Sequence, residues 1–336
     1  MADGLRIGIL GAGAITQVAH LPVLRKLKGV EVTALCDNDL PKAKALADRF
    51  QIPRAFDDVE DMLQPGDLDA IVICTPNHLH ESHAVAALSA NLHVLIERPL
   101  AMTAQSAQKM LKLAEKRSRI LMVSATHRYR TDVQLVRSFV QSGELGEIES
   151  VRGSWHVFRP GRTQLGWRLR RDEAGGGAML DLGQAILDLE LWLANGPVPV
   201  RVSASLERPP KDKGVEQSGS AFVTCEGGVS LFVDVTWHHI GEGERFGVGL
   251  RGSKGTAGIN PLHVWKELNG IPTDVAPTGS VGRENPFTAA TRAQWAHFLA
   301  AVDGSARLSS QQEQITLHKV LDAIYRSAAD GKDVAL

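Results

Sequence analysis

Short apolar runs alternate with segments of helical period from Leu5 to about Ala125. The runs predict strands over residues 5–10, 30–36, 70–75, 93–96 and 120–124. The segments between them predict amphipathic helices over 15–27, 41–50, 80–90 and 104–117, with Thr103 placed to cap the last one. Strands that are apolar throughout, alternating with helices, imply a parallel sheet covered on both faces. A sheet with one wet face would instead show alternating polar positions.

The texture changes after residue 125. A helix is expected over 132–141, ended by Ser142-Gly143, then a strand over 150–158 and an Arg- and Gly-rich loop over 159–177. A helix over 179–193 stops at Asn195-Gly196-Pro197. Several strands follow between 200 and 266. In the clearest, 229–237, Val229, Leu231, Val233, Val235 and Trp237 share one face. Ser230, Phe232, Asp234, Thr236 and His238 share the other, which is half polar. Helices over 287–302 and 311–328 close the chain. The pattern divides the sequence into an α/β domain, 1–124, and an α+β domain, 125–336, with a large, mostly antiparallel sheet.

Composition narrows the function classes. Lys and Arg total 37 against 38 Asp and Glu, and no run of basic residues marks a nucleic-acid or anionic-membrane surface. Three widely spaced cysteines suit neither a disulfide framework nor a structural zinc site. The first apolar run leads directly into a glycine motif and reads as a strand, not a signal peptide. No apolar stretch reaches the roughly 18 residues of a membrane span. A cytoplasmic location is the expectation.

The chemistry begins at Gly11-Ala12-Gly13-Ala14-Ile15-Thr16, between a predicted strand and a predicted helix. The first glycine of such a motif permits a tight turn, and the second lets the backbone approach a pyrophosphate. The helix N-terminus then attracts its charge. Thr16 replaces the usual third glycine. Asp37 ends the next strand, where an acidic side chain accepts hydrogen bonds from ribose hydroxyls and repels a 2′-phosphate. Asn38 follows it, where an arginine would have favoured NADP. The first domain is therefore expected to be a Rossmann domain that binds NAD(H) in preference to NADP(H).

Further segments resemble the Gfo/Idh/MocA family of glucose–fructose oxidoreductases and inositol dehydrogenases. Cys74-Thr75-Pro76-Asn77 with His80 is similar to the family's segment after the fourth strand, near the cofactor. Glu97-Arg98-Pro99 stands where the family has Glu-Lys-Pro, and Trp167-Arg168 resembles its Trp-Arg loop. Gly175-Gly176-Gly177, then Asp181-Leu182-Gly183-Gln184-Ala185 and Asp188, resemble its glycine-rich helix carrying Asp and His. The resemblance implies hydride transfer between nicotinamide and a carbinol of a sugar or cyclitol. It implies cofactor contacts from Gly11, Gly13, Ala14, Ile15, Asp37, Thr75, Pro76, Asn77, His80, Glu97, Arg98, Trp167 and Arg168. It also implies a homodimer or homotetramer built through the open face of the second sheet.

Two departures fall on the catalytic groups. The family lysine is Arg98, and its histidine, four residues after Asp181, is Ala185. Loss of hydride from an alcohol requires loss of a proton, and general acid–base help contributes about 10²–10⁴-fold to such steps. Arginine stays charged at any working pH, and alanine has nothing to titrate. Arg98 can still stabilise an alkoxide, or pair with Asp181 or a substrate carboxylate. Asp181 is a candidate proton acceptor, and so is His127, which follows the last Rossmann strand; Tyr129 is a weaker one. The expected catalytic set is Arg98, Asp181 and His127. An NAD(H)-binding sensor without turnover is the alternative that these departures motivate.

Other features carry less. His78, His80 and His83 invite a metal reading, but no acidic or thiol ligand besides Glu81 completes the set, and none is assigned. Gly175–Gly177 reads as a mobile turn or a second phosphate cradle, the turn preferred. The Arg-rich stretch 159–171 reads as a solvated loop rather than a selector of anionic substrates.

Overall fold

The computed structural model describes residues 4–159, 166–207, 214–277, 284–308 and 310–336. The chain forms two compact units, one of residues 1–126 with 284–311, the other of 127–283 with 312–336. The first therefore includes a late segment that the hydrophobic pattern assigns to the second domain. No helix among the described residues is long and apolar enough to cross a membrane.

The first unit holds six parallel strands: β1 (Leu5–Leu10), β2 (Val30–Cys36), β3 (Arg54–Phe56), β4 (Ala70–Ile73), β5 (His93–Ile96) and β6 (Leu121–Val123). Their spatial order is β3-β2-β1-β4-β5-β6, the doubly wound arrangement whose order reverses beside β1. Three-residue β3 sits at the edge, too short for the apolar pattern to show. The helices are α1 (Leu21–Leu24), α2 (Leu40–Phe50), α3 (Val59–Leu63), α4 (His80–Ser89) and α5 (Ala104–Lys116). Side-chain caps start several of them. Asp39 accepts from Lys42 N–H, Asp58 from Glu60 and Asp61 N–H, and Thr103 from Ser106 N–H. Ile7, Ile9, Ile71, Val72, Ile73, Val94 and Leu95 are fully buried, as a sheet covered on both faces requires.

The second unit contains α6 (Thr131–Gln141), α7 (Arg171–Ala174) and α8 (Gln184–Leu193). Helix α9 (Pro286–Val302) belongs to the first unit, and α10 (Gln311–Asp330) lies almost wholly in the second. The second sheet comprises β7 (Ile148–His156), β8 (Pro199–Leu206), β9 (Ser218–Cys225), β10 (Ser230–Thr236), β11 (Arg245–Gly252), β12 (Gly255–Ile259), β13 (His263–Leu268), β14 (Ile271–Asp274) and β15 (Val334–Ala335). Its order is β14-β13-β12-β11-β7-β10-β9-β8-β15. Only the β7–β10 pair among these neighbours is parallel. Leu231, Val233, Val235 and Trp237 point into the core, as the alternation of β10 dictates, while Phe222 and Phe232 stand opposite each other on the outer face.

One core position breaks the hydrophobic rule. Glu190, in α8, is fully buried, and neither carboxyl oxygen makes a well-formed hydrogen bond to a described residue. The carboxyl lies under β7, 3.1 Å from where a Cβ on Gly153 would stand. Burial pushes its pKa well above the usual carboxylate value, and backbone groups of Gly153 and Phe232 offset this only in part. The folded chain keeps this proton while the unfolded chain releases it above about pH 4.5. Stability therefore falls as pH rises through that window, by up to about 1.4 kcal/mol per pH unit. Glu190→Gln removes the proton linkage. Urea denaturation from pH 5 to 8 should show the variant gaining on the wild type as pH rises; a constant difference would contradict a buried neutral acid.

Candidate active site

The nucleotide turn follows β1 directly. Gly11 has φ +96°, and a Cβ on it would lie 2.6 Å from the Cys74 carbonyl oxygen, so the position excludes other residues on two grounds. A Cβ on Gly13 would meet nothing within 4 Å, which leaves room for a ligand against the backbone. Thr16 is buried, and its Oγ1 donates to the Gly11 carbonyl at 2.5 Å. The residue that breaks the three-glycine pattern thus braces the turn. Ile15 starts a helical turn, Thr16–His20, that continues into α1. These features fit a dinucleotide pyrophosphate.

Asp37, after β2, accepts the Ala12 N–H at 2.7 Å and the Lys42 ammonium at 3.0 Å on Oδ2, and the Asp39 N–H at 3.1 Å on Oδ1. One carboxylate therefore ties the glycine turn to the first turn of α2. Across the sheet, Thr75 and Pro76 follow β4, and Asn77 opens a short 3₁₀ turn that leads into α4. His80 is buried, with Nδ1 2.7 Å from the Pro99 carbonyl and Nε2 3.0 Å from that of Thr75. Burial holds its pKa below the ordinary value. A neutral ring has one N–H, which the shorter contact takes. His80 thus fastens the segment after β4 to the one after β5. Thr75 Oγ1 pairs with His83 Nδ1 at 3.0 Å, and burial above all lowers the His83 pKa to about 4. Among the described residues, no group of three His, Cys, Asp or Glu side chains is placed to hold a metal.

Glu97 faces inward. His20 Nε2 lies 3.0 Å from its Oε1, and the Trp295 indole N–H donates to His20 Nδ1 at 3.1 Å. An indole nitrogen only donates, so Nδ1 accepts and Nε2 carries the proton toward Glu97. Burial raises the Glu97 pKa, but the His20 contacts, Ser124 and the Arg98 charge outweigh it and hold the carboxyl below the usual range. Gln294 bonds Ser124 Oγ and Thr126 Oγ1, which brings α9 into the same network. The sequence reading does not flag His20, Gln294 or Trp295. Their one signal is a polar group on an otherwise apolar helical face.

The second unit carries the remaining candidates. Asp181 Oδ2 accepts from the Trp237 indole at 3.1 Å and pairs with Arg159 at 2.9 Å, while Arg168 lies 4.0 Å from Oδ1. Arg168 also lies over the Trp167 ring. Ala185 is buried, at 4% exposure, inside the packing of α8. His127 stacks on Phe246 with ring centroids 4.7 Å apart and meets Trp155 edge-on at 4.9 Å. Burial pushes the Tyr129 phenol up to about 12, so it keeps its proton near neutrality. Asp188 binds Arg128 in a bidentate pair at 2.7 Å, and Glu313 takes a third arginine contact at 2.8 Å.

Gly176 and Gly177 are packed closely, which leaves no room for a phosphate cradle there. A Cβ on Gly177 would stand 1.8 Å from the Glu216 carbonyl oxygen, and one on Gly176 2.0 Å from the Tyr325 hydroxyl. Glu216 Oε1 accepts the N–H groups of Gly177 and Met179 and the Tyr325 hydroxyl. A buried carboxylate already occupies the place an external anion would need. The Arg-rich stretch lies partly outside the described residues. Of its described members, Arg159 is paired with Asp181 and the solvent-exposed Arg170 with Glu173.

Residues 5–125 match the family model described as "Oxidoreductase family, NAD-binding Rossmann fold", and residues 133–258 match the "GFO/IDH/MocA C-terminal domain". D-glucoside 3-dehydrogenase of Escherichia coli strain K12 is 29% identical over 99% of this chain and 97% of its own length. A dTDP-3,4-didehydro-2,6-dideoxy-alpha-D-glucose 3-reductase of Saccharopolyspora spinosa is 30% identical, covering 68% of this chain and 67% of the relative. The crystal structure of GenD2 from gentamicin A biosynthesis, in complex with NAD, superposes with a TM-score of 0.86 at 25% identity, over 99% of this chain and 97% of that one. The chain belongs to the Gfo/Idh/MocA family of oxidoreductases. It is an NAD-dependent enzyme, and NAD is its cofactor.

The two glycines separate folding from ligand binding. Gly11→Ala should lose thermal stability as well as NADH affinity, because backbone strain and the Cys74 carbonyl both oppose it. Gly13→Ala should keep stability within about 0.5 kcal/mol yet weaken NADH binding at least about tenfold, because its methyl fills the pyrophosphate approach. Fluorescence titration with NADH beside a thermal melt reads both. Equal losses in the two variants would contradict the assignment.

Proposed function

We propose that this chain transfers a hydride between NAD(H) and a hydroxyl- or carbonyl-bearing carbon of a sugar, cyclitol or related compound. The observation that carries the reading is the Gly11–Gly13 turn clamped by Asp37, with open space at Gly13 for a pyrophosphate. The substrate class is supported by the relatives, whose names specify a glucoside dehydrogenase and a deoxyglucose reductase. In this reading Gly11, Gly13, Ala14 and Ile15 receive the pyrophosphate and Asp37 the adenosine ribose. Thr75, Pro76, Asn77, Arg98, Trp167 and Arg168 face the rest of the cofactor. His80 and Glu97, both engaged inward, act by holding those segments.

Bound NAD supplies the hydride acceptor or donor. Arg98 donates hydrogen bonds from its guanidinium to the reacting oxygen, stabilising alkoxide character as the carbinol is oxidised. Asp181, held by Arg159 and Trp237, is a fixed acceptor that orients a substrate hydroxyl. The proton passes to His127, whose stacking on Phe246 fixes the plane in which its ring nitrogens work. We also propose that the enzyme assembles as a dimer or tetramer through the outer face of the second sheet, where Phe222 and Phe232 are exposed as neighbours.

A panel of sugars, cyclitols, uronates and small ketones, followed by NADH absorbance, tests the activity. Tight NADH binding without turnover on any member would return the sensor reading. His127→Asn should lower kcat at least about tenfold with NADH affinity unchanged, and an unaltered rate would remove His127 from the mechanism. A histidine at buried position 185 would cost about 1–3 kcal/mol in overpacking, so Arg98→Lys alone is the cleaner probe of the first departure. A fall in rate assigns Arg98 a role of its own, whereas a rise by orders of magnitude marks a lost function. Phe232→Glu should lower the mass seen by light scattering if the outer sheet face is the interface.

A further inference from the structure

The Asp37 carboxylate is more heavily engaged than an adenosine-ribose acceptor needs to be. Its side chain is 9% exposed and receives two backbone N–H groups and one ammonium. The ammonium is that of Lys42, in the first turn of α2, whose own N–H is taken by the Asp39 cap. That cap fixes where the Lys42 backbone sits. Its flexible stem, with the side chain 42% exposed, carries the charge back to Asp37.

A bare carboxylate at this position does two things. It accepts the ribose hydroxyls, and it repels a 2′-phosphate that carries nearly two negative charges. A lysine 3.0 Å away cancels most of the repulsion. When a phosphate arrives, the ammonium can turn from the carboxylate to the phosphate with no backbone movement, since Lys is a mobile point charge with three donors. The other charged groups nearby oppose this. Asp39 caps the same helix, and the Asp57 and Asp58 charges reach Cys36 beside Asp37. Arg54, on neighbouring β3, is paired with Asp67 at 2.8 Å. The acidic surplus keeps NAD(H) the preferred cofactor, and Lys42 sets by how much.

We propose that Lys42 is a cofactor-specificity residue: paired with Asp37, it lets this chain bind NADP(H) as a second, weaker cofactor. The proposal rests on the reading of Asp37 as the ribose acceptor, and the experiment separates the two. Dissociation constants for NADH and NADPH are measured by fluorescence titration on the wild type, Lys42→Met, Lys42→Arg, Asp37→Asn and the double variant Asp37→Asn/Lys42→Met. In Lys42→Met the ratio Kd(NADPH)/Kd(NADH) should rise about tenfold, and in Lys42→Arg it should stay within about threefold of the wild type. Asp37→Asn should weaken NADH and lower the ratio, and adding Lys42→Met should take that gain away. Salt should weaken NADPH more steeply than NADH in the wild type but not in Lys42→Met. An unchanged ratio in Lys42→Met, with NADH weakened in Asp37→Asn, overturns the role of Lys42 alone. Unchanged NADH affinity in Asp37→Asn overturns the ribose reading and this proposal with it.

Discussion

A carboxylate drawn mostly out of water has to be met by donors, and the first unit is organised around one, Glu97, whose side chain is 18% exposed. Glu97 follows β5, the strand between β4 and the edge strand β6. Its oxygens are met by His20, from the helical turn that begins at the nucleotide motif, and by Ser124, just past β6. Trp295 and Gln294 of α9 close the ring from a segment far along the chain. Leaving such a group unpaired costs more than a neutral hydrogen bond returns. Each of these segments is therefore held where it can keep the set complete. Arg98 is the next residue after Glu97, so the anchored carboxylate also determines where the catalytic candidate begins.

The second unit solves the same problem several times. Asp188 is neutralised by the bidentate grip of Arg128, with Glu313 sharing the guanidinium. Glu216 caps the helical segment that carries Asp181, and glycines at 176 and 177 let it come close enough to do so. Glu190 is the exception, buried with no well-formed hydrogen bond among the described residues and held neutral. Asp181 lies between these extremes, partly exposed and bound to an arginine and an indole. Those two contacts fix where its carboxylate stands.

Much of the first unit is legible because its determinants are local. Each apolar strand, the Thr103 cap and the Gly11 turn can be read from a few consecutive residues. Asp37 is legible too, since the next strand of a βαβ unit must return it beside the turn. Local reading fails at Gly175–Gly177, where the glycine run suggests mobility. The real constraint there is a backbone approach by Glu216, 39 positions from Gly177. It fails again at α9, whose apolar content says that it packs but not against which unit.

The sequence alone determined the doubly wound first domain, its NAD cofactor, the family, and the replacement of the usual lysine and histidine by Arg98 and Ala185. All of these depend on residue type at short spacing, where strand and turn geometry leave few alternatives. The tertiary structure decided which polar groups are partners. His20 meets Trp295 across 275 positions and Glu97 across 77, and Arg128 meets Glu313 across 185. Such pairings have no period and no motif. They follow from the need to satisfy every buried charge and N–H within one packed interior, a condition on the whole fold that no stretch of sequence states by itself.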